Sequence, residues 1–378
     1  MRLLVLKEAL PTGGAERQLT LIVRNLPAYW ERRVWVMSGG PFADEIAADG
    51  YRVYRAPRRS RFDVRPALPL WRVLLEWRPD VVHSWDWMST LAALPVCRAL
   101  GIPLVDATIR NAAVRPRGAR QRRLSHAVST LVVANSRAGL EAWGIGARKG
   151  RVVYNAFDPA RLRAIATDGR ERVGGAGQPD GRRRADGGER SGQSAPCTVV
   201  MTGRMVPDKD FSCLIEAARR LDRERPGRLR FRLLGDGPER ERLVAEAGDL
   251  RARGVVEFVD PGFEVLPLVA AADAGVLMAD ETRNREGCSN AIMEYMSCAL
   301  PVVCSDGGGN PELVLDGETG FVVPPGDPDA LAAALSRLVD KPDLARRFGD
   351  AGRRRTLEEF SIERLVRGME RVYWEALS

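Results

Sequence analysis

Short apolar segments alternate with helical patterns along most of the chain, and this alternation constrains the fold more than any other feature. Segments of strand character occur at residues 2–9, 33–38, 51–54, 80–87, 103–111, 130–136 and 151–158, and helical patterns between them include 18–26 and 66–77. A second series begins at residue 198 and continues at 230–239, 255–259 and 274–279. Strands that alternate with helices at this spacing predict parallel, doubly wound sheets. We therefore expect an α/β protein.

The length and one abrupt change in composition predict two domains. A chain of 378 residues is too long for one ordinary core. Residues 168–195 are rich in Gly, Arg, Asp and Ser and almost lack large apolar side chains, so they predict a flexible linker or insertion. We expect a first domain at residues 1–167, a second at 196–358, and a terminal helix within 359–378, where apolar residues recur at helical spacing.

Composition excludes several classes of protein. Hydrophobic residues make up 45% of the chain and charged residues 29%, which is typical of a globular protein. No apolar run reaches the roughly 18–20 residues of a membrane span, and charges occur too early in the first eight residues for a secretory signal. We therefore expect a cytoplasmic location. Six cysteines without a C-x-x-C pair indicate reduced thiols and neither a disulfide framework nor a zinc site.

The chain carries a formal charge of +8, and its arginines cluster near residues 58–61, 115–123 and 182–184. Basic patches suit either a nucleic acid or an anionic membrane surface. No pattern typical of a nucleic-acid-binding module accompanies these clusters, so we expect no nucleic-acid partner. Peripheral contact with an anionic membrane, at the inner face of the cell membrane, is the interpretation that the charge favours. A solvated charged surface is the alternative.

Residues 284–296 (NREGCSNAIMEYM) form the main candidate for a functional site. They follow the predicted buried strand 274–279 and enter a helix, whose free N–H groups and dipole favour phosphate binding. Glu286 and Glu294 lie eight positions apart, about 12 Å along a continuous helix. Paired carboxylates of a hydrolase lie closer, roughly 5–9.5 Å apart. The two acids therefore suit two ends of an extended ligand, and solvated surface acids are the alternative.

Weaker signals occur in the first half of the chain. Gly13 and Gly14 precede a predicted helix and allow close approach of a ligand to the backbone. His83 lies at the end of a predicted strand, the edge at which open α/β sheets bind ligands, although a core or capping role is the alternative. Arg110 opens the second basic cluster and is suited to an anion, although it also suits a solvated charged helix.

The combination of motifs strongly resembles the family 4 retaining glycosyltransferases. The resemblance lies in Glu286-x7-Glu294, the segments 299–312 (ALPVVCSDGGGNPE) and 316–324 (DGETGFVVP), and Gly203-Arg204 followed by Lys209. It extends over about 198–328 and more loosely over 1–157. It implies the GT-B fold, with two Rossmann-like domains facing a cleft, an acceptor domain first and a nucleotide-sugar donor domain second. It also implies that the terminal helix packs back on the first domain.

The resemblance implies a role for each candidate residue. Arg204 and Lys209 would hold the donor diphosphate, where negative charge grows as the glycosidic bond opens. Glu286 would bind the sugar hydroxyls and Glu294 the ribose of the nucleotide. The remaining donor-binding candidates are Gly13, Gly14, Gly287, Cys288, Ser289 and Asn290, and the possible acceptor or sugar contacts are His83 and Arg110. His83 precedes Ser84-Trp85, whereas the family often has His-x-His, so a sugar contact from this loop is less strongly implied.

The implied reaction is transfer of a sugar, with retention, from a nucleotide-sugar donor to an acceptor hydroxyl, and we expect the donor to be UDP-linked. The expected acceptor is a lipid-linked saccharide of cell-envelope polysaccharide synthesis, with a small natural product as the alternative. No cofactor is expected. Asp208-Lys209-Asp210 imitates a metal-binding Asp-x-Asp motif, but the motif is common and Lys209 already supplies positive charge, so we expect no metal. A nucleotide-sugar epimerase, a donor-binding protein without transfer activity and a basic interaction protein are the competing hypotheses.

Overall fold

The computed structural model of the chain describes residues 1–59, 63–112, 118–163, 165, 195–260, 262, 264–280, 282–283 and 285–378. The chain forms two compact units, which we call unit 1 (Met1–Ala156, Thr282–Ser289 and Phe360–Ser378) and unit 2 (Phe157–Glu281 and Asn290–Glu359). The predicted linker 168–195 lies, apart from residue 195, outside the described residues. The structure groups Thr282–Ser289 with unit 1, whereas the predicted boundaries placed this segment in the second domain.

Unit 1 is built on a parallel sheet of seven strands in the order β3-β2-β1-β4-β5-β6-β7. The strands are β1 (Arg2–Lys7), β2 (Glu31–Val36), β3 (Arg52–Arg55), β4 (Val81–Ser84), β5 (Leu104–Ile109), β6 (Leu131–Ala134) and β7 (Gly150–Val152). The helices are α1 (Gly14–Asn25), α2 (Pro41–Ala48), α3 (Ala67–Trp77), α4 (Trp87–Leu100), α5 (Ala119–Val128), α6 (Arg137–Trp143) and, from the end of the chain, α15 (Ile362–Leu377).

Alternation of side chains along the strands of unit 1 gives the sheet two apolar faces. Leu3 and Val5 of β1 belong to a core that includes buried residues of α1, α2 and α15. Leu4 and Leu6 point to the opposite face, where α3 and α4 contribute the core. A strand buried on both faces is continuously apolar, which explains the composition of β1. Residues 359–378 were predicted to return to the first domain, and α15 lies in unit 1.

Unit 2 contains a parallel sheet of six strands in the order β10-β9-β8-β11-β12-β13. The strands are β8 (Cys197–Thr202), β9 (Leu229–Leu234), β10 (Val256–Val259), β11 (Ala274–Leu277), β12 (Val302–Ser305) and β13 (Gly320–Val323). The helices are α7 (Phe211–Glu224), α8 (Arg240–Glu246), α9 (Gly248–Ala252), α10 (Leu266–Ala270), α11 (Asn290–Ser297), α12 (Asn310–Leu313), α13 (Pro328–Asp340) and α14 (Pro342–Glu359). Two parallel-sheet α/β units confirm the predicted fold class.

The strand order of each sheet locates the edge where a ligand is expected. In unit 2 the chain leaves β8 towards β9 and later returns to β11 on the other side of β8. In unit 1 the corresponding reversal lies between β1 and β4. Ligands of open α/β sheets bind at such a reversal, outside the carboxyl ends of the strands. The loops after β8 and β11, and after β1 and β4, are therefore the positions from which a site is built.

Two predicted elements differ from the structure. The predicted strand 151–158 is only three residues long, Gly150–Val152, because Asn155 and Ala156 bond to side chains or backbone outside the sheet. The helix predicted at 18–26 begins four residues earlier, at Gly14, because Gly13 is extended and its carbonyl accepts the first helical bond, from the Arg17 N–H. The glycine pair therefore begins the helix.

Candidate functional site

The loop after β8 carries the two predicted diphosphate-binding cations of unit 2. Lys209 and Ala279 form an isolated antiparallel bridge. The Asp210 N–H donates to the Met278 carbonyl at 3.3 Å, and the Asp280 N–H donates to the Asp208 carbonyl at 3.0 Å. These bonds join the loop after β8 to the residues after β11, on both sides of the reversal in strand order. Lys209 is thereby fixed at the edge where the topology predicts a ligand.

Arg204 and Lys209 differ in their exposure to solvent. Arg204 is exposed, whereas Lys209 is half-buried. The Lys209 side chain passes over Gly203, where an added Cβ atom would lie 3.7 Å from its Cε. Lys209 is held in place by the loop, and Arg204 beside it is exposed, so both can bind an anion without a large rearrangement. The structure therefore places both predicted cations on one loop of unit 2.

A neighbouring turn makes the loop after β8 rigid. Gly235 and Gly237, after β9, have φ values of +144° and +156°. A Cβ atom at Gly235 would lie 2.0 Å from the Gly203 carbonyl oxygen, and one at Gly237 would lie 2.3 Å from that of Met205. The Met205 N–H donates to the Asp236 carbonyl at 2.8 Å. Only glycine permits both this backbone conformation and this approach, so Gly235 and Gly237 are needed to hold the loop after β8 in place.

The predicted Asp-x-Asp motif has a structural role at one of its acids. Asp210 caps α7, where its carboxylate accepts from the Cys213 N–H at 3.0 Å. Burial raises the pKa of Asp210, and the bond from Cys213 opposes that shift. Within the part of the chain that the structure describes, no group of three or more His, Cys, Asp and Glu side chains is arranged to hold a metal ion.

Tyr295, in the second turn of helix α11, anchors this helix to the sheet. The Tyr295 hydroxyl accepts from the Thr202 N–H at 2.6 Å, at the end of β8. The Tyr295 ring packs on Gly275 of β11, where an added Cβ atom would lie 2.4 Å from ring carbons. This contact requires glycine at position 275 and fixes the helix over the sheet. Asn290, the first residue of α11, and Glu294, one turn later, are thereby positioned at the carboxyl edge.

Glu294 is buried, with 5% of its surface exposed, and it forms an ion pair with Arg161. Arg161 Nη1 lies 2.8 Å from Glu294 Oε1, and Arg161 Nη2 lies 2.7 Å from Glu264 Oε1. Burial opposes the charge on Arg161, but its bonds to the two glutamates outweigh that effect and raise its pKa. A buried carboxylate needs such a partner. Arg161 was missed in the sequence because it lies 133 positions from Glu294.

In unit 1, the N-terminus of α1 contributes Gly13 and Gly14. Gly13 is the extended residue before α1, and among the described residues no side chain caps the N-terminus of this helix. Glu16 in the first turn lies against Gly13, where an added Cβ atom would be 2.4 Å from its carboxylate. Lys7, at the end of β1, pairs with Glu16 at 3.5 Å. Gly13 and Gly14 therefore lie after β1, at the reversal of strand order in unit 1.

The segment before α11 is held by the exits of three strands of unit 1. Asn111 and Glu286 form an isolated antiparallel bridge, and the Asn155 amide donates to the Cys288 carbonyl at 2.8 Å. An added Cβ atom at Gly287 would lie 2.4 Å from both the Arg110 carbonyl and Asn135 Oδ1. Residues 110, 135 and 155 follow β5, β6 and β7, which explains why this segment groups with unit 1 and why position 287 requires glycine.

The other residues predicted in this segment have different exposures. Glu286 is half-buried, whereas Gly287, Cys288 and Ser289 are buried. Cys288 has a small side chain, and its backbone carbonyl accepts a hydrogen bond from the Asn155 amide. The structure thus gathers Glu286 to Ser289 in unit 1 and Asn290 and Glu294 in unit 2, whereas the sequence presents them as one motif.

His83 lies inside unit 1 and has no exposed surface. The Tyr373 hydroxyl of α15 lies 2.8 Å from His83 Nδ1, and the two rings meet edge to face. Burial, with a smaller effect of the Arg110 charge, lowers the pKa of His83 well below its usual value. These contacts give His83 a core role in joining α15 to the sheet. The contact between Tyr373 and His83 could not be predicted from the sequence, because the two residues lie 290 positions apart.

Arg110 follows β5 and stacks on Trp85. Its guanidinium carbon lies 3.5 Å from the centre of the Trp85 ring. Arg110 Nε is buried and forms no hydrogen bond with the residues that the structure describes. Burial lowers the pKa of Arg110 to about 9, although the negative charges of Glu16 and Asp106 oppose that shift. Arg110 is therefore half-buried against Trp85, and not the solvated surface charge that was its alternative.

Comparison with known proteins identifies the family. The sequence model described as Glycosyltransferase Family 4 matches residues 12–161, and the one described as Glycosyl transferases group 1 matches residues 196–341. A GDP-mannose-dependent alpha-(1-6)-phosphatidylinositol monomannoside mannosyltransferase of Mycolicibacterium smegmatis is 30% identical over 367 residues, which cover 92% of this chain and 91% of that protein. The chain belongs to the family 4 glycosyltransferases.

A second relative agrees with this assignment, and solved structures share the fold. Glycogen synthase of Mycobacterium tuberculosis is 29% identical over 316 residues, 79% of this chain and 70% of that protein. Anabaena Alr3699/HepE, solved with UDP and glucose, is 21% identical and covers 98% of this chain and 99% of its own, with a TM-score of 0.76. A glycosyltransferase of Rickettsia africae has a TM-score of 0.78 at 15% identity and covers 100% and 98% of the two chains. These likenesses confirm the GT-B fold.

The family 4 assignment confirms that this protein is a transferase of sugars. It agrees with the motif on which the resemblance was based, Glu286-x7-Glu294, and with the cations of the loop after β8. The roles of the individual site residues stay predictions. Among the residues described, no helix combines the length and the apolarity needed to cross a bilayer.

Proposed function

We propose that this family 4 glycosyltransferase moves a hexosyl or N-acetylhexosaminyl group, with retention, from a UDP-sugar to an acceptor hydroxyl. The observation that carries the proposal is the position of Lys209. It lies on the loop that joins the exits of β8 and β11, at the reversal of strand order in unit 2. Open α/β sheets bind their ligands at this edge, and a diphosphate needs a cation there.

Each candidate residue then has a role that its environment supports. Lys209 and the exposed Arg204 neutralise the diphosphate. Glu294 binds the ribose, with its carboxylate oriented by Arg161. Glu286 binds the hydroxyls of the transferred sugar. The backbone at Gly13, Gly14 and residues 287–290 approaches the donor closely, because these positions have small side chains or begin a helix.

In the proposed reaction the enzyme stabilises the leaving diphosphate and supplies no nucleophile of its own. As the bond between the anomeric carbon and the diphosphate breaks, negative charge grows on the phosphate oxygen. Lys209 and Arg204 stabilise that charge, and one preorganised donor of this kind is worth about 10²–10³ in rate. The acceptor hydroxyl attacks from the same face, its oxygen bonds to the anomeric carbon, and its proton passes to the departing phosphate. Since the two cations supply the positive charge, we propose that the reaction proceeds without a metal ion.

For the acceptor we propose a lipid-linked saccharide of cell-envelope polysaccharide synthesis. Relatives with such roles support this class, including the lipopolysaccharide core biosynthesis glycosyltransferase LpsE of Rhizobium meliloti, which is 35% identical over 173 residues, 46% of this chain and 48% of that protein. A small-molecule acceptor is the second candidate, because N-acetyl-alpha-D-glucosaminyl L-malate synthase of Bacillus anthracis is 28% identical over 145 residues, 38% of this chain and 37% of that protein.

A lipid-linked acceptor implies contact with a membrane, which we propose occurs at the cytoplasmic face through α3. Leu68 and Leu75 of this helix are 62% and 53% exposed, and Arg72 lies between them at helical spacing. Helix α5, which also contacts α4, exposes Leu124 beside Arg123. Apolar side chains interleaved with arginines suit the surface of an anionic bilayer, because the leucines enter it and the arginines meet its phosphates.

Binding of the donor can be tested by thermal unfolding of the full chain with UDP, GDP, UDP-glucose, UDP-N-acetylglucosamine and GDP-mannose, all in EDTA. A ligand that binds only the folded protein raises the midpoint, by an amount that corresponds to about 2.7 kcal/mol at 100 times its dissociation constant. We expect a shift with the uridine nucleotides that is reduced in Glu294→Gln and Lys209→Met. Arg251→Gln, at an exposed position of unit 2, is the control.

Two outcomes of this panel would change the proposal. A shift with GDP-mannose alone would make GDP the carrier, as the name of the Mycolicibacterium relative suggests. A shift that appears only after Mg²⁺ replaces EDTA would contradict the metal-independent mechanism. If no nucleotide produced a shift, the proposed donor site would be wrong.

A further inference from the structure

A cleft of about 710 Å³ opens at the amino edge of the unit 1 sheet, where α3, α4, α5 and α15 end and β4 and β5 begin. Its volume is in the range of small-molecule sites, roughly 300–1,000 Å³. Leucine, isoleucine and valine side chains form much of its wall, among them Leu94, Leu100, Ile102, Val128 and Leu377. None of the described residues that line it is a candidate for the donor or the acceptor site.

The charged side chains of this cleft are mostly basic. Among the described residues that line it, Arg78 and Arg98 are exposed arginines, and Asp80 is the one acid. Asp80 is already used by the fold, because its carboxylate accepts from the Arg2 N–H at 2.7 Å. Neither guanidinium forms an ion pair or a hydrogen bond with another part of the chain that the structure describes. Both arginines are therefore available to an anionic ligand.

The backbone conformation of Arg78 is unusual for an arginine. It follows α3 with φ 48° and ψ 71°, in the left-handed region. Of the described residues other than glycine, only Arg78 and Ala299 have a positive φ. Helices commonly end in glycine at this position, because any side chain is strained there. The end of α4 follows that rule, with Gly101 at φ 68°. An arginine in place of the favoured glycine indicates a use for its side chain beyond the fold.

The exposed surface of α3 leads to the mouth of this cleft. Because α3 connects two parallel strands, β3 and β4, it runs from the carboxyl edge of the sheet to the amino edge. Leu75, which is 53% exposed, lies three residues before Arg78, and Leu68 and Arg72 precede it at helical spacing. A bilayer in the proposed contact with α3 therefore reaches Arg78.

We propose that this cleft binds an anionic phospholipid, with the phosphate on Arg78 and Arg98 and the first part of an acyl chain against Leu100 and Leu377. Guanidinium groups match the oxygens of a phosphate, and the apolar wall suits the chain. A lipid held at the amino edge leaves the carboxyl edge of the same sheet open to the substrates. The inference rests on the proposed membrane contact, which supplies the lipid.

The test is isothermal titration of the full chain with dihexanoylphosphatidylglycerol, kept below its critical micelle concentration so that no bilayer is present. Arg78→Gly and Arg98→Gln should each weaken binding at least about five-fold, through loss of a charge-assisted bond. Arg120→Gln, at the far end of α5 and exposed, should match the wild type. Glycerol phosphate should bind the wild type at least about ten-fold more weakly, because it lacks the acyl chains.

Urea unfolding of Arg78→Gly separates a binding role from a structural one. Glycine relieves the left-handed strain, so this variant should unfold at the same urea concentration as the wild type or at a higher one. A lower midpoint would mean that Arg78 serves the fold, which contradicts the argument from its backbone.

Four titration results would overturn the proposal. Equal affinity of the wild type, Arg78→Gly and Arg98→Gln would exclude the arginines as the phosphate site. Equal binding of dihexanoylphosphatidylcholine would exclude selection by charge, and equal binding of glycerol phosphate would make the ligand a free phosphate ester. The variant Leu68→Ser, Leu75→Ser should bind the short-chain lipid like the wild type even if it no longer binds vesicles. Loss of the short-chain lipid in that variant would place the lipid on α3 and not in the cleft.

Discussion

Arg161 links the predicted ribose-binding acid to the rest of unit 2. Its guanidinium is shared between Glu294, which is buried, and Glu264, which is half exposed at 45% of its side chain. Removal of Arg161 leaves the Glu294 carboxylate without its cation. We therefore regard Arg161 as a positioning residue, one that acts on the donor through Glu294.

The variant Arg161→Gln should lose both stability and affinity for the nucleotide. Breaking a buried pair by removing one partner costs about 3 kcal/mol, because the other charge stays buried. Urea unfolding measures the first effect and titration with UDP the second. Arg161→Lys should restore part of the affinity, since the charge returns. Arg251→Gln should change neither quantity, and full UDP affinity in Arg161→Gln would contradict the positioning role.

For single residues, the sequence predicted the site only where the functional side chains lie in one short segment. Glu286 to Glu294, Gly13-Gly14 and Gly203 to Lys209 are short patterns, and the structure places them at the carboxyl edges of the two sheets. Arg161 and Tyr373 act on partners 133 and 290 positions away. No spacing rule connects such residues, so only the folded chain reveals them.

Among the elements described, α3 exposes two leucines on the side away from its core contacts. It buries Leu70, Val73 and Leu74 against the sheet and against α4, which explains its formation. Its opposite side keeps Leu68 and Leu75 in solvent. An amphipathic helix normally exposes polar residues there. The core does not require these two leucines, and the proposed contact with a lipid surface rests on them and on Arg72 between them.

The double variant Leu68→Ser, Leu75→Ser should lose binding to vesicles that contain phosphatidylglycerol. Each leucine contributes about 1–2 kcal/mol when it enters the interface, so the pair should weaken binding by about ten-fold or more. Sedimentation with vesicles measures the bound fraction, and added salt should weaken it further. Leu357→Ser, a leucine of unit 2 that is 46% exposed, is the control. Equal sedimentation of all three proteins would exclude α3 as the contact.

The elements themselves were predictable where burial and strand pairing coincide. The central strands β1 and β8 are apolar because both faces of each sheet are covered, and the sequence pattern located them. The prediction failed at residues 153–158. The Val153 N–H still donates to the Ala134 carbonyl of β6 at 2.9 Å, but Ala156 and Phe157 are buried outside any strand. An apolar segment predicts that its residues are buried, but not that they form a strand. The strand ends at Val152, and Asn155 and Ala156 instead form hydrogen bonds with Cys288 and Gln18.

For the molecule as a whole, both histidines report on the integrity of unit 1. His83 contacts Tyr373, and His126 lies 2.8 Å from the Thr108 hydroxyl. Burial lowers the pKa of each. The unfolded chain binds protons at both residues near pH 6.5, whereas the folded chain does so only at lower pH. The stabilisation is therefore complete above about pH 6.5 and is lost as the pH falls towards the folded pKa values.

Urea unfolding at about pH 7 and pH 5.5 should show this loss. Each histidine contributes up to about 1.4 kcal/mol per pH unit in this range. We expect the free energy of unfolding to be lower at pH 5.5 by about 1–2 kcal/mol, and the difference should shrink in His126→Gln. An equal free energy at both pH values would contradict the assignment of the two histidines as buried and neutral.

The proposed transfer with retention and without a metal can be followed by time-resolved proton NMR of a UDP-α-linked sugar, incubated with the full chain in EDTA, with water as the simplest acceptor. We expect the α-anomer of the free sugar to appear first, and Lys209→Met to release it about 10²–10³ times more slowly. Initial release of the β-anomer would contradict retention, and release that requires a divalent cation would contradict a metal-independent reaction.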